Sequence, residues 1–460
     1  MFNSAESILR RSESNLAWTN NTNLIIFAFS LVFYGRIVTT VTPLPSILVH
    51  AHFAVVPLVL WVVLTTAPTK NQQQTKLVQS LLLGLLIFFL VILASALWNR
   101  AGFINAVVSF MMLGEPMMFL VAIVGIPMSL KSFTRIKRWF MASVIINFVL
   151  AAVQKPLIDM GKIDGHGFDG TDGCGGVFYV SGAGNYISAS VSIACAIYFL
   201  VNGKNFPLWV RIAAMSAASW QLLFSDSKQL VFAYLLAWIL LILFNFQDIS
   251  KSIKLLLGIA ITGFTFWWCV QNLEAFSAFT AWARADLYAE GGDAWFTKFY
   301  SIKAILSEFD SWVNWLFGLG PGHTISRLGA WFMEDYRSIL EPLGATTTTI
   351  GIRSREFIGS FWLAYSSSMF SPIFGWAGIW GDLGLVGLSA YFYLAYLVWQ
   401  HFGLDNSLKI TLLATLILGF IFTQIEEPGY MLSLALLLGL AWHEKRLKFA
   451  RQQAQFNSIN

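Results

Sequence analysis

The chain has 460 residues, of which 57% are hydrophobic and only 12% are charged. Soluble domains carry about 25% charged residues, so this composition excludes an ordinary soluble enzyme and predicts a membrane protein. The formal charge of +5 does not indicate a nucleic-acid partner, because basic residues in membrane proteins mostly set topology and no basic face is interleaved with a soluble fold.

The N-terminal segment, residues 1–22, is polar and leads into an apolar run with no small-residue cleavage site behind it. We therefore expect a cytoplasmic tail and an uncleaved first span, and no removed signal peptide. The three cysteines are unevenly placed and two lie inside apolar runs, which argues against a disulfide framework and against a zinc site.

Apolar runs predict about twelve membrane spans, nine before a long polar interval and three after it. No internal repeat supports an inverted-repeat transporter. The predicted spans lie near 23–40, 45–66, 77–97, 103–126, 138–153, 183–201, 206–224, 229–246, 253–271, 371–399, 408–425 and 429–443.

The distribution of basic residues predicts that both termini are cytoplasmic. With the N-terminus inside, seventeen of the 29 Lys and Arg residues fall in cytoplasmic segments, five in short outer loops and seven in the long loop. The predicted parts are an N-terminal membrane bundle (1–271), a large outward-facing helical loop between spans nine and ten (272–370), three further spans (371–443) and a cytoplasmic tail (444–460).

A glycine-rich loop, residues 164–176, contains Asp164, His166, Asp169 and Asp172. Carboxylates suit a hard cation such as calcium, but the spacing matches no calcium loop, and a flexible polar loop is the alternative.

Four short patterns follow one another in the second half of the chain. The first is a Gly-x-Phe segment with a later Asn, Gly176 to Asn185, and the second is the Ser225-Asp-Ser-Lys228 turn. The third is Leu316-Phe-Gly-Leu-Gly-Pro-Gly322 in the long loop, and the fourth is the Asp382-Leu-Gly-Leu-Val-Gly-Leu388 segment in the next span. In this order and spacing they resemble the bacterial O-antigen ligase and polysaccharide polymerase superfamily.

That resemblance covers roughly residues 175–400 and implies a polytopic, all-α glycosyltransferase with a C-type architecture in the bacterial inner membrane. Such enzymes use a polyprenyl-diphosphate-linked glycan as donor and a glycan acceptor at the outer face, without a metal or other cofactor. Polysaccharide export or chain-length proteins are further expected partners. Lys228 stands where the family usually has arginine, and Ile373-Phe374 stands where ligases tend to have a His-Asn pair, which favours a polymerase.

The expected chemistry needs cations for the departing diphosphate and a base for the acceptor hydroxyl. Arg353 and Arg355 are the predicted catalytic cations, with a surface ion pair as the alternative for both. His323 is the predicted base, Asp382 its carboxylate alternative, and a capping histidine the competing interpretation. The predicted substrate-binding residues are Lys228, Arg284, Arg327, Gly318, Gly320, Gly322 and Asp382.

Two further classes remain open alongside the polymerase. One is a ligase that transfers a finished glycan to a lipid or protein. The other is a transporter, or a non-catalytic partner of a polysaccharide assembly complex.

Overall fold

The computed structural model describes residues 16–67, 71–165, 173–179, 181, 183–244, 249–273, 276, 285–366 and 370–459. Within these ranges the chain is all-helical and contains no strand, which confirms the all-α part of the predicted fold class. Arg284, His166, Asp169 and Asp172 lie outside the described residues.

Nine long helices form the first part of the described chain. Polar caps fix several of their starts: the Asn71 side chain accepts from the Gln73 backbone N–H at 2.9 Å, and Ser129 accepts from that of Ser132 at 3.1 Å. The helices are α1 Leu16–Val41, α2 His52–Thr66, α3 Gln72–Trp98, α4 Phe103–Gly125, α5 Leu130–Asp159, α6 Gly184–Asn202, α7 Leu208–Phe224, α8 Gln229–Phe244 and α9 Ile249–Asn272. Two 3₁₀ turns, Ser46–Ala51 and Gly176–Phe178, lie between them.

The long polar interval folds into short helices because its apolar residues occur in brief runs. They are α10 Ala285–Tyr288, α11 Asp293–Leu306, α12 Trp312–Phe317, a π-helix at Leu328–Phe332, α13 Met333–Asp335, α14 Arg337–Leu340, a 3₁₀ turn at Glu341–Leu343, α15 Thr349–Ser360 and α16 Trp362–Ser366. Three helices complete the bundle: α17 Gly375–Phe402, α18 Asn406–Leu418 and α19 Pro428–Ile459, with a 3₁₀ turn at Gln424–Glu426 before the last.

Each predicted apolar span overlaps a helix of the described chain, although the span predicted at 408–425 continues past the end of its helix at Leu418. Seven helical segments of the described chain are long and apolar enough to cross a membrane: Asn21–Val41, Ser46–Thr66, Gln72–Trp98, Phe103–Gly125, Leu130–Asp159, Gly184–Asn202 and Gly375–Phe402. Leu208–Phe224, Gln229–Leu243 and Asn406–Leu418 are apolar but shorter. The protein is therefore a membrane protein by helix length and composition.

The core is one continuous apolar cluster that joins α1–α8 with α17–α19. The α4 helix lies at its centre, since nearly every residue from Met112 to Gly125 is buried. The short helices of the loop bury smaller apolar clusters of their own against α2, α4 and α17. The loop is thus packed onto one end of the bundle, which we call the loop end.

Candidate functional site

The loop reaches into the bundle at a break in α17. Gly384 has a φ of 66° inside this helix, so the carbonyls before it have no helical partner. The Leu319 N–H donates to the Gly381 carbonyl at 2.8 Å, and the Gly320 N–H donates to that of Asp382 at 3.0 Å. Unpaired backbone groups are costly in a membrane, so the glycine segment replaces the missing helical donors.

Asp382 holds the next residues of the loop through both carboxylate oxygens. One oxygen accepts from the Thr324 N–H at 2.9 Å and the Thr324 hydroxyl at 2.6 Å. The other accepts from the Gly322 N–H at 2.8 Å and the Ser326 hydroxyl at 2.6 Å. Asp382 is 3% exposed, so its four hydrogen bonds make it a structural anchor and leave it poorly suited to act as a base.

The third and fourth sequence patterns therefore meet in space. At Gly318, φ is 68° and an added Cβ would lie 2.4 Å from the Asp382 carbonyl carbon. At Gly384, an added Cβ would lie 2.3 Å from the Leu316 carbonyl carbon. These glycines allow two backbones to touch, and the predicted glycine site is, in this structure, a helix-to-loop contact. Gly320 and Gly322 also have positive φ values.

His323 lies beside this contact with both ring nitrogens in use. Nδ1 lies 2.9 Å from the Leu319 carbonyl oxygen, which can only accept, so Nδ1 carries the proton. Nε2 lies 2.8 Å from the Thr346 hydroxyl, which itself accepts from the Gly102 N–H at 3.0 Å. His323 is 7% exposed. Its geometry is that of a histidine that joins two parts of the loop and, through Thr346, fastens them to the start of α4.

The first and second sequence patterns also meet each other. The Gln154 side chain accepts from the Gly176 N–H at 2.7 Å and donates to the Gly176 carbonyl at 2.9 Å. The Asn185 side chain donates to the Ser225 carbonyl at 3.2 Å. Lys228 forms an ion pair with Asp226 in the same turn. The two pairs of patterns thus build two separate polar contacts.

The turn between α18 and α19, residues 419–427, connects these two contacts. On one side Phe422 stacks on Tyr186 with ring centroids 4.1 Å apart. On the other side Glu426 accepts from the Arg327 N–H at 2.7 Å, and the Arg327 guanidinium lies 3.2 Å from a Glu427 carboxylate oxygen. Both side chains of the Arg327–Glu427 pair are about nine-tenths buried.

Arg36, near the end of α1, brings a second guanidinium to the same place. It is half-buried and lies within electrostatic range of Arg327, Glu427 and Asp335. It makes no ion pair within the described ranges. Because burial raises the pKa of Glu426 to about 8, Glu427 is the ionised carboxylate that the two guanidiniums share at neutral pH, and such a site favours a further anion. We call Arg36, Arg327, Glu426 and Glu427 the arginine site.

A buried histidine adjoins the arginine site. His50 is 9% exposed and packs edge-on against Phe332 and Tyr336, with ring centroids 4.8 and 5.3 Å away. Its Nδ1 has no hydrogen-bond partner among the described residues. The neighbouring His52 is held by Glu115, with Nδ1 2.8 and 2.9 Å from the two carboxylate oxygens.

The two predicted catalytic arginines lie apart from each other, since residues two positions apart on a helix point to different faces. Arg353 forms a surface ion pair with Glu308 at 2.6 Å and is 45% exposed. Arg355 pairs with Asp335 at 3.3 Å and stacks on Trp331. The surface-pair alternative thus describes both arginines, and Asp335, the partner of Arg355, lies within electrostatic range of Arg36.

Two titratable groups at the loop end have shifted pKa values. Burial raises the pKa of Glu426 to about 8, with Asp382 and Glu427 adding repulsion and Arg327 opposing it. Burial lowers the pKa of Lys298 on α11 to about 7. Lys298 donates to the carbonyls of Ser371 and Ile421, so it ties the loop to the α18–α19 turn.

The candidate residues predicted from the sequence do not include Arg36, Glu426 or Glu427. One signal in the sequence is that Arg36 lies at the predicted outer end of the first span, where the positive-inside rule expects few basic residues. No protein-family model matches the chain, and comparison with curated proteins finds no relative.

Proposed function

We propose that the protein is a membrane glycosyltransferase that polymerises polyprenyl-diphosphate-linked oligosaccharide repeat units of a cell-surface or exported polysaccharide. The observation that supports this most directly is the arginine site, where Arg327 pairs with Glu427 in a largely buried setting and Arg36 lies within electrostatic range of both. A diphosphate suits this site, since a planar guanidinium group donates two N–H bonds to a pair of phosphate oxygens.

The proposed topology has twelve spans, both termini in the cytoplasm and the loop at the outer face of a bacterial inner membrane. We infer a C-type glycosyltransferase arrangement for this topology. The proposed topology is supported by the overlap of each apolar run with a helix and by the excess of basic residues in the segments assigned to the cytoplasm.

The proposed reaction forms a bond between the acceptor oxygen and the anomeric carbon of the donor sugar. The bond from that carbon to the diphosphate oxygen breaks, and its electron pair leaves with the polyprenyl diphosphate. Arg36 and Arg327 stabilise the charge that gathers on the leaving group, an effect typically worth ~3 kcal/mol per donor. Glu427, whose carboxylate lies 3.2 Å from the Arg327 guanidinium, is the proposed base that takes the acceptor proton.

The site residues differ in role under this proposal. Arg327 binds the diphosphate as the sequence predicts, and Arg36 joins it. Gly318, Gly320, Gly322, His323 and Asp382 position the segment that carries Arg327, because Thr324 and Ser326 are bonded to Asp382 directly before it. Lys228 lies in the neighbouring polar contact and is assigned to the glycan.

The test is a reconstituted assay with purified protein and a polyprenyl-diphosphate-linked oligosaccharide, with products sized on a gel. The expected product is a ladder spaced by one repeat unit, which Arg36→Ala and Arg327→Ala reduce at least ~100-fold. Arg353→Ala is the matched control, since it removes a surface ion pair of low energetic value.

Three results would change the assignment. Transfer of one intact block to a different acceptor would make the protein a ligase. Donor binding without transfer would point to a transporter or an assembly partner. A full ladder from both arginine variants would reject the arginine site as the diphosphate site.

A further inference from the structure

The end of the bundle opposite the loop end is strongly basic. Here α3 and α5 begin and α4 ends beside α19: the Arg446 side chain donates to that of Gln74 at 2.9 Å, and His443 Nε2 lies 2.9 Å from the Ile123 carbonyl oxygen. Residues 131–138 of α5 and 443–448 of α19, which we call the basic end, carry seven Lys and Arg side chains and one carboxylate. They are Lys131, Arg135, Lys137, Arg138, Lys445, Arg446, Lys448 and Glu444.

Two lysines of the basic end share its one carboxylate. Lys137 Nζ lies 3.0 Å from one oxygen of Glu444, and Lys448 Nζ lies 3.0 Å from the other. The Tyr198 hydroxyl donates to Glu444 at 3.1 Å. Burial raises the pKa of Glu444, but the hydrogen bonds and charges of Lys137 and Lys448 outweigh it and hold this pKa below its ordinary value, so the carboxylate is ionised at neutral pH. One carboxylate cannot neutralise two ammonium groups, and one positive charge stays uncompensated.

Topology alone does not explain why these charges converge. The positive-inside rule concerns basic residues that flank each span, and it does not bring Lys137 to a carboxylate 307 positions away in the sequence. Arg138 and Lys445, the neighbours of this pair, are exposed and have no acidic partner among the described residues. Like charges placed so close repel each other, and an anion bound among them would relieve that repulsion.

The basic end lies at the depth of the lipid headgroups. With 30 residues at ~1.5 Å each, α5 is about 45 Å long and exceeds the ~30 Å hydrocarbon core. Trp139, which is 43% exposed, directly follows Arg138, and tryptophan is enriched at the membrane–water interface. On α19, Trp442 lies two residues before Glu444, and Leu447 still packs against the core of the bundle. The charges therefore lie against the bundle, within a turn of the interfacial tryptophans.

We propose that the basic end binds the headgroup of an anionic phospholipid such as phosphatidylglycerol, with its phosphate between Lys137 and Lys448. Clusters of roughly four to eight Lys and Arg residues beside a membrane helix are typical of anionic-lipid binding. The exposed Trp139 on the same helix favours a lipid over a soluble anion, because it continues the site into the membrane surface. This inference is independent of the proposed glycosyl transfer.

The test is native mass spectrometry of the full-length protein in dodecyl maltoside, titrated with dioleoyl phosphatidylglycerol and, separately, with dioleoyl phosphatidylcholine. The wild type is expected to bind phosphatidylglycerol more tightly. A basic residue near the headgroups contributes about fivefold in affinity, so Lys137→Gln combined with Lys448→Gln should weaken phosphatidylglycerol binding ~25-fold. Lys162→Gln combined with Lys303→Gln, which removes two exposed charges at the loop end, is the matched control and should bind like the wild type.

Glu444→Gln distinguishes a lipid site from an ion pair that only holds α5 to α19. Without the carboxylate both lysines are available to the phosphate, so affinity for phosphatidylglycerol should rise about fivefold, opposite to the effect of the lysine variants. A purely structural pair predicts no gain in affinity from this substitution.

Four results would overturn the inference. They are equal affinity of the wild type for the two lipids, unchanged affinity in the lysine double variant, a loss as large in the loop-end control, and unchanged or weaker binding in Glu444→Gln. Displacement of the lipid by millimolar inorganic phosphate at constant ionic strength would identify a soluble anion as the ligand instead, and would also reject the lipid site.

Discussion

Replacing Asp382 with alanine tests whether the loop is held in the bundle by this carboxylate. The substitution removes the acceptor of four hydrogen bonds, two from backbone N–H groups and two from hydroxyls. The hydroxyls of Thr324 and Ser326 can rotate toward other acceptors, but the N–H groups of Gly322 and Thr324 cannot. Each buried donor left unpaired costs ~1–3 kcal/mol, so we expect local destabilisation of ~2–6 kcal/mol.

Hydrogen exchange of the peptide that covers residues 318–326, measured in nanodiscs, reports this local opening. Since ~1.4 kcal/mol is a factor of ten, the exchange rate should rise at least ~30-fold in Asp382→Ala. Asp382→Asn retains one acceptor oxygen and should fall between this variant and the wild type. Asp226→Ala, at a turn remote from the loop contact, is the control. Unchanged exchange in Asp382→Ala would refute the anchoring role.

Four other predictions concern neighbouring groups. Gly318→Ala places a Cβ 2.5 Å from the Asp382 carbonyl oxygen, so hydrogen exchange of the peptide that covers residues 318–326 should rise. Gly359→Ala is the control, since no atom lies within 4 Å of the added Cβ, and it should leave this exchange unchanged. His323→Gln should retain at least about a tenth of the polymerase activity, and the dependence of that activity on pH should not change, because a positioning residue transfers no proton. Loss of the alkaline or the acidic limb of the pH–activity profile would restore the assignment of His323 as the base. The pKa of Lys298 is lowered from 10.5 to about 7. Loop docking, measured by limited proteolysis, should therefore weaken as the pH falls from 10.5 to about 7 and then stay constant. Lys298→Met should abolish this pH dependence. The pKa of Glu426 is raised from 4.5 to about 8, so its contribution to the free energy of unfolding should fall as the pH rises from 4.5 to about 8. Glu426→Gln should remove this pH dependence of stability in thermal unfolding curves.

The helices of the membrane bundle could be predicted from the sequence because each contains a long apolar run, a pattern that depends only on residues close together in the chain. The contact between the glycine segment and the Asp382 segment was not predicted; the sequence assigned Gly318 to substrate binding, whereas its close approach is to the Asp382 backbone. The break in α17 was not predicted either, because a single glycine inside a membrane helix is common. Its effect depends on a partner 60-odd residues away, as in the Gly322–Asp382 hydrogen bond.

The arginine site was harder to predict for a different reason. Arg36, Arg327 and Glu427 belong to three distant segments, and no local pattern joins them. Each alone has an ordinary explanation as a charge at the end of a span or in a polar loop. Arg353 and Arg355 are separated by one residue in the sequence, but helical geometry points their side chains to different faces and gives them different acidic partners.

The anchor and the arginine site act together through chain connectivity. Asp382 holds Thr324 and Ser326, and the following residue is Arg327, whose backbone N–H is bonded to Glu426. The position of the Arg327 guanidinium is therefore set from both α17 and the α18–α19 turn. Under the proposed function, Asp382→Asn should lower kcat with little change in KM, because a shifted cation loses transition-state contacts before it loses substrate. Arg36→Lys, which leaves the loop docked, tests the direct loss of phosphate contacts alone. Both variants should lower activity, but only Asp382→Asn should also raise hydrogen exchange at residues 318–326.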